Sequence, residues 1–109
     1  MNWIKIFSTD VFEGGDFVKK IDVAGKKLCS VKTGGKIFVI QNRCPHAGAE
    51  LSMGWCSQGH IVCPYHRHEF DLTTGRGKAG QGNYINTYPT ETRSDGIYVG
   101  LKKSWWKLW

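Results

Sequence analysis

The chain has 109 residues, enough for one domain with a modest core and too few for two. Its 40% hydrophobic and 22% charged content is that of a soluble globular protein, and its longest apolar run, Ile37-Phe38-Val39-Ile40, is far too short to span a bilayer. The net charge of +6 comes from scattered lysines with no basic run longer than two and no aromatic interleaving, so an acidic protein partner is expected rather than nucleic acid or membrane.

Pattern and punctuation predict an all-β protein. The first strand, over residues 3–8, alternates; the N-terminal sequence, Met1-Asn-Trp-Ile-Lys-Ile-Phe, lacks the charged start, long apolar stretch and small-residue cleavage site of a signal peptide, which predicts a cytoplasmic chain. A strand over 17–23 ends at the turn Ala24-Gly25-Lys26. Strands over 27–32 and 36–42 flank Thr33-Gly34-Gly35, a hairpin signal. One helical turn is expected within 48–53. Strands over 60–63 and 69–72 make a small hairpin. A strand over 84–90 and another over 96–101 flank Ser94-Asp95-Gly96. No segment carries helical periodicity, and short strands at regular spacing predict a sandwich or small barrel.

Two clusters in this frame carry chemistry: Cys44-Pro-His46 and Cys63-Pro-Tyr-His66, with sixteen residues between His46 and Cys63. Each supplies one thiolate and one imidazole. Residues two apart, as Cys44 and His46 are, would strain to chelate one tetrahedral metal and reach two adjacent irons more easily. Structural zinc also uses two cysteines with two histidines. Zinc fingers, however, pair cysteine with cysteine and histidine with histidine, whereas each half here is mixed and no helical pattern follows His66. A disulfide fits less well, because the chain shows no sign of secretion and a Cys/His alternation has no role in an oxidised bridge.

These residues resemble the ligand loops of the Rieske [2Fe–2S] ferredoxin family, in which histidines replace cysteines on one iron and raise the potential. The resemblance implies one cluster per chain, held by Cys44, His46, Cys63 and His66. Two ferric ions, two sulfides and two thiolates sum to about zero charge, where four thiolates leave roughly two negative charges, so an electron is more easily added. The flanks fall in the same order. Cys44-Pro-His46-Ala-Gly48-Ala-Glu-Leu51 is similar to the first loop and its following turn, and Ile61-Val-Cys63-Pro64-Tyr-His66 to the second. Phe70-Asp71-Leu72-Thr-Thr-Gly75, Thr87-Tyr88-Pro89 and Gly96-Ile-Tyr-Val-Gly100 look like the closing turn and the returning strands. The implied architecture is a single Rieske domain over 1–109: an antiparallel β base, about 1–42 and 73–109, holding an inserted cluster-binding subdomain, about 43–72.

The resemblance implies a one-electron carrier, not an enzyme in itself, that passes electrons from a flavin reductase to a terminal oxygenase. A Rieske-like small subunit of an assimilatory nitrite reductase is the alternative, and a structural zinc module the third. The respiratory-type members of the family add a disulfide between the loops and Ser and Tyr donors to sulfur. The matching positions here hold Ala49 and Tyr65, His68 and Phe70. No disulfide can form and Phe70 cannot donate, so a potential near the low end of the family's range, about −150 mV, is expected. His68 could in principle donate, but is read as a solvent-facing neighbour of the ligand. Arg67 stands where the family usually has glycine. Arginine there implies ordinary dihedrals or local strain; its charge could favour the reduced cluster, meet a partner carboxylate or simply be solvated.

Four features remain. Cys29, within 26–32, reads as a small buried hydrophobe, and Cys56, after Trp55, as a packing residue with a spare thiol as the alternative. Gly75-Arg-Gly77-Lys-Ala-Gly80 matches the dinucleotide-binding glycine pattern, yet no helix is expected after it to hold a pyrophosphate, so it reads as a loop beside the cluster. The tail Ser104-Trp105-Trp106-Lys107-Leu108-Trp109 is expected to pack across the base, with a docking or oligomer contact as the alternative.

Overall fold

β-branched and aromatic residues between two-residue turns build ten short strands, in a computed structural model that describes residues 1–45, 48–65, 67–78 and 83–102. The central sheet takes β2 (Phe17–Val23), β3 (Lys26–Thr33), β4 (Lys36–Gln41) and β8 (Thr87–Tyr88) in the order β2-β3-β4-β8, all neighbours antiparallel. A second sheet runs β1 (Asn2–Phe7), β10 (Gly96–Leu101), β9 (Thr90–Arg93). A third, small sheet runs β5 (Trp55–Ser57), β6 (His60–Val62), β7 (Glu69–Asp71). The turns Ala24-Gly25, Gly34-Gly35 and Gln58-Gly59 each have positive φ at both residues, the twist that matches a tight two-residue hairpin. No helix among the described residues is long and apolar enough to cross a membrane.

The central sheet is covered on both faces, which is why β3 is buried continuously from Leu28 to Lys32 rather than on alternate residues. Leu28 and Val39 face one core with Val23, Tyr88, Val99 and Leu101. Cys29, Val31 and Ile40 face the other, with Leu51, Ile61, Phe70, Leu72 and Ile85 and with the two motif cysteines, Cys44 and Cys63. The buried polar residues of β3 have backbone carbonyl partners. Ser30 Oγ donates to the Lys19 carbonyl at 3.0 Å, and the buried Lys32 ammonium donates to the carbonyls of Val11, at 2.8 Å, and Gly14. Those last bonds fasten a 3₁₀ turn, Thr9–Glu13, that has no periodic signature in the sequence.

Two expectations change. The strand expected over 84–90 is two strands in different sheets, β8 on β4 and β9 on β10. Pro89 sits at the switch, where its missing N–H removes a ladder donor, while its carbonyl still accepts from Gly100 N–H at 2.9 Å. Tyr84 makes only an isolated bridge to Arg76. The other change is β5, absent from the sequence reading, which pairs with β6 across Gln58-Gly59 and gives the small hairpin a third strand. The expected helical turn within 48–53 is present as a 3₁₀ turn, Leu51–Met53.

After β7 the chain reverses on Asp71, whose Oδ1 accepts the backbone N–H groups of Thr73 at 2.7 Å and Thr74 at 2.9 Å. The Thr74 N–H is the main reason its carboxyl sits below the ordinary carboxylate range, with Thr73 adding to it against a desolvation penalty. A carboxylate depressed in the folded state contributes stability above its unfolded pKa of about 3.9 and loses it as pH falls through the lower folded value. Asp71→Ala is therefore expected to cost about 1 kcal/mol at pH 7, a modest figure because the turn is solvent-screened. The difference from wild type should shrink as pH falls below the unfolded value of about 3.9 and through the lower folded one. Thermal unfolding of both proteins at several pH values checks this, and a deficit independent of pH would mean the carboxylate charge is not what holds the turn.

Candidate metal centre

The first motif lies on a loop after β4 that its own backbone folds tightly. Cys44 N–H donates to the Ala49 carbonyl at 2.7 Å and Gly48 N–H to the Cys44 carbonyl at 2.8 Å. Gly48 takes a φ of +70°. Asn42, 4% exposed at the loop's root, fixes both sides of it. Its Nδ2 donates to Glu50 Oε1 at 3.1 Å and its Oδ1 accepts Ser52 N–H at 2.9 Å. Glu50 also pairs with Lys20 of β2 at 2.6 Å, the chief cause of its lowered pKa, and so ties the loop to the central sheet.

The second motif lies on the loop between β6 and β7. Cys63 N–H donates to the His68 carbonyl at 2.8 Å and closes it. Arg67 at its tip has a φ of +53°, so of the two expectations for this residue the strained one holds. A non-glycine residue in the left-handed region costs roughly 1–2 kcal/mol. Part of that is offset where its guanidinium lies over the Trp55 ring, 5.9 Å from the centroid, a contact of about 0.5–1 kcal/mol at an exposed site. His68 departs from the expectation of a solvent-facing residue: it is half-buried and its Nδ1 lies inside the protein. Phe70 is fully buried in the core.

Between the loops, Cys44 and Cys63 are 1% and 0% exposed and lie in the same core, close enough for each to feel the other's charge. Burial pushes the Cys63 thiol up, the Tyr65 backbone N–H pulls it back, and neighbouring Cys44 raises it again. Two such thiols cannot both ionise unaided, because each thiolate would be desolvated beside another negative charge. A soft, positively charged metal group removes that conflict and takes the thiolates as ligands. The donor chemistry thus fits an iron–sulfur group. His46 and His66 lie outside the described residues, as do residues 79–82 of the glycine-rich loop and the tryptophan-rich tail from 103.

The remaining cysteines behave as packing groups. Cys29 is fully buried, with its pKa pushed up to about 12 by desolvation. Cys56 is half-buried against the same core. The described part of the glycine pattern is a strand-like closure. Gly77 bridges Phe70, Arg76 bridges Tyr84, and Lys78 N–H donates to the Glu69 carbonyl at 3.0 Å. No helix follows among residues 83–102, so the pyrophosphate-binding reading stays rejected. Asn42 and Trp55 are the two site residues that sequence reasoning missed. A polar residue at the inward end of an apolar strand was the available sign of the first; only the Gln58-Gly59 turn could have placed the second.

Two buried thiols brought together by loops of an all-β protein are a site that can take a soft metal group such as an iron–sulfur cluster. The chain belongs to the Rieske [2Fe-2S] domain family, whose sequence profile matches residues 2–89. It is similar to the ferredoxin component of the naphthalene 1,2-dioxygenase system of Pseudomonas putida, 31% identical over 103 residues that cover 93% of this chain and 97% of that one. It is also similar to the ferredoxin component of the naphthalene 1,2-dioxygenase/salicylate 5-hydroxylase systems of a Ralstonia species, 33% identical over 102 residues covering 93% and 97%. Among solved structures, the ferredoxin of carbazole 1,9a-dioxygenase from Nocardioides aromaticivorans superposes with a TM-score of 0.79 at 28% identity, covering 94% of this chain and all of that one.

Proposed function

We propose that this protein is a cytoplasmic one-electron carrier that takes electrons from a flavin reductase and delivers them to a terminal oxygenase. The observation that carries the reading is the pair of buried thiols, Cys44 and Cys63, meeting at the ends of two backbone-locked loops. In this reading Cys44, His46, Cys63 and His66 hold the [2Fe–2S] cluster, and residues 43–72 form the subdomain that presents it. The bound cluster supplies reversible uptake of one electron. The chain's own residues do the rest. Leu51, Ile61, Phe70 and Leu72 keep water from the thiol side, and Asn42 and Glu50 hold the first loop in place. Likeness to ferredoxin components along almost their whole length supports the carrier over a reductase subunit.

Protein expressed with ample iron and purified in air is expected to be red-brown, with about two irons and two acid-labile sulfides per chain. Metal and sulfide analysis decides it. Stoichiometric zinc without sulfide would overturn the reading.

A further inference from the structure

Beside the second loop lies a surface whose composition is that of a docking site. Met53, Trp55 and Tyr65 are 71%, 44% and 59% exposed, and Arg67 is exposed with its guanidinium over the Trp55 ring. Aromatic residues, Met and Arg are the side chains enriched at protein interfaces and among their energetic hot spots. The Met53 and Tyr65 side chains line one concavity with Ala49 and Pro64.

Charge selects the partner. Within residues 43–78 the carboxylates are all engaged: Glu50 with Lys20, Glu69 with Lys78, and Asp71 with two backbone N–H groups. Arg67 pairs with no carboxylate among the described residues. Its ring contact leaves the guanidinium edge open to a bidentate acceptor. Its backbone lies in the left-handed region, and stacking on Trp55 limits where the side chain can point. A cation held in place on an aromatic platform, one residue past the proposed ligand His66, suits a carboxylate arriving on another protein.

We propose that Trp55 and Arg67 form the contact by which an acidic face of the electron-exchange partner docks beside the cluster. This rests on the carrier reading. The reaction tested is the passage of one electron from the reduced cluster to an oxidised protein, with no proton or group transferred. Two protein oxidants serve as probes, an acidic plastocyanin whose Cu(II) becomes Cu(I) and a basic cytochrome c whose ferric haem becomes ferrous.

Stopped-flow rates of reduced holoprotein with each oxidant are compared for wild type, Arg67→Ala, Arg67→Lys, Trp55→Ala and Lys36→Ala. Lys36 is an exposed cation at the turn end of β4, the end away from the first loop. At low ionic strength Arg67→Ala should slow transfer to plastocyanin about fivefold relative to cytochrome c. Arg67→Lys and Trp55→Ala should fall between it and wild type, Lys36→Ala should change the ratio by less than about twofold, and roughly 1 M salt should erase the differences. Equal slowing with both oxidants, or an effect of Lys36→Ala as large as that of Arg67→Ala, would overturn the docking contact while leaving the carrier intact. Holoprotein that passes electrons to neither oxidant would overturn the carrier reading and this inference with it.

Discussion

Cys44→Ser or Cys63→Ser is expected to abolish stable cluster assembly, whereas Cys29→Ala and Cys56→Ala should retain it. All four thiols are free, and Cys29 shares a core with Cys44 and Cys63, so burial alone does not single out the ligands. Position does. Cys44 and Cys63 end two loops whose own N–H groups are spent on loop carbonyls, and they face each other. Cys29 lies mid-strand, where desolvation pushes its pKa up to about 12 and disfavours the thiolate. Serine keeps the size of cysteine but offers a hard, poorly ionised hydroxyl where soft thiolate is required. Visible absorbance and iron per chain measure the outcome. Cluster loss in Cys29→Ala or Cys56→Ala, with the fold retained by circular dichroism, would show that the thiol assignment is wrong.

Gly75→Ala should be the most damaging single-methyl addition in the closing turn. Gly75 has a φ of +79°, and a Cβ there would lie 2.1 Å from the Ile85 carbonyl oxygen and 3.2 Å from its carbon. The left-handed backbone costs a residue with a Cβ roughly 1–2 kcal/mol. The clash is with backbone, which cannot swing aside, and forcing such a contact costs roughly 1–3 kcal/mol more. The two segments concerned are already bound together, Ile85 N–H donating to the Gly75 carbonyl at 2.7 Å, and Ile85 is a core residue. A loss of about 3 kcal/mol corresponds to a fall of at least about 10 °C in the unfolding midpoint for a domain of this size. Gly15→Ala is the control, because a Cβ there meets nothing within 4 Å and its φ is not left-handed; it should move the midpoint little. Equal midpoints for the two variants would mean that the turn yields more readily than its contacts indicate.

Much of the base was legible because its signals were local. β2 runs over Phe17–Val23, as its apolar residues before the Ala24-Gly25 turn predict, and the Gly34-Gly35 pair marks the β3–β4 hairpin without help from the rest of the chain. What was illegible depended on distant partners. One strand was expected straight through Pro89, because the transfer from β4 to β10 on its two sides is a property of the assembled sheets. β5 is three residues long, too short for a periodic pattern. At the site, spacing and residue type named the two cysteines that meet in the core. Asn42, which locks the first loop, and Trp55, which carries Arg67, were missed because their roles lie in contacts eight to twelve positions away.

The double-sided burial of the central sheet has a consequence for pairing register. In a half-exposed sheet, slipping one strand by a residue sends its apolar face into water, and that penalty fixes the register. β3 and β4 enjoy no such safeguard, since apolar residues point into both cores. A one-residue slip would exchange Cys29 and Ile40 with their neighbours and leave both cores greasy. The discriminating information must then sit elsewhere: in Ser30 and Lys32, whose polar ends have carbonyl partners on one side only, and in Gly34-Gly35, whose two positive-φ residues admit a tight turn at one place. Thr33 opposite Lys36 sets Leu28 opposite Gln41, and three residues beyond Gln41 stands Cys44. The position of the first thiol is thus dictated by a turn at the far end of the hairpin.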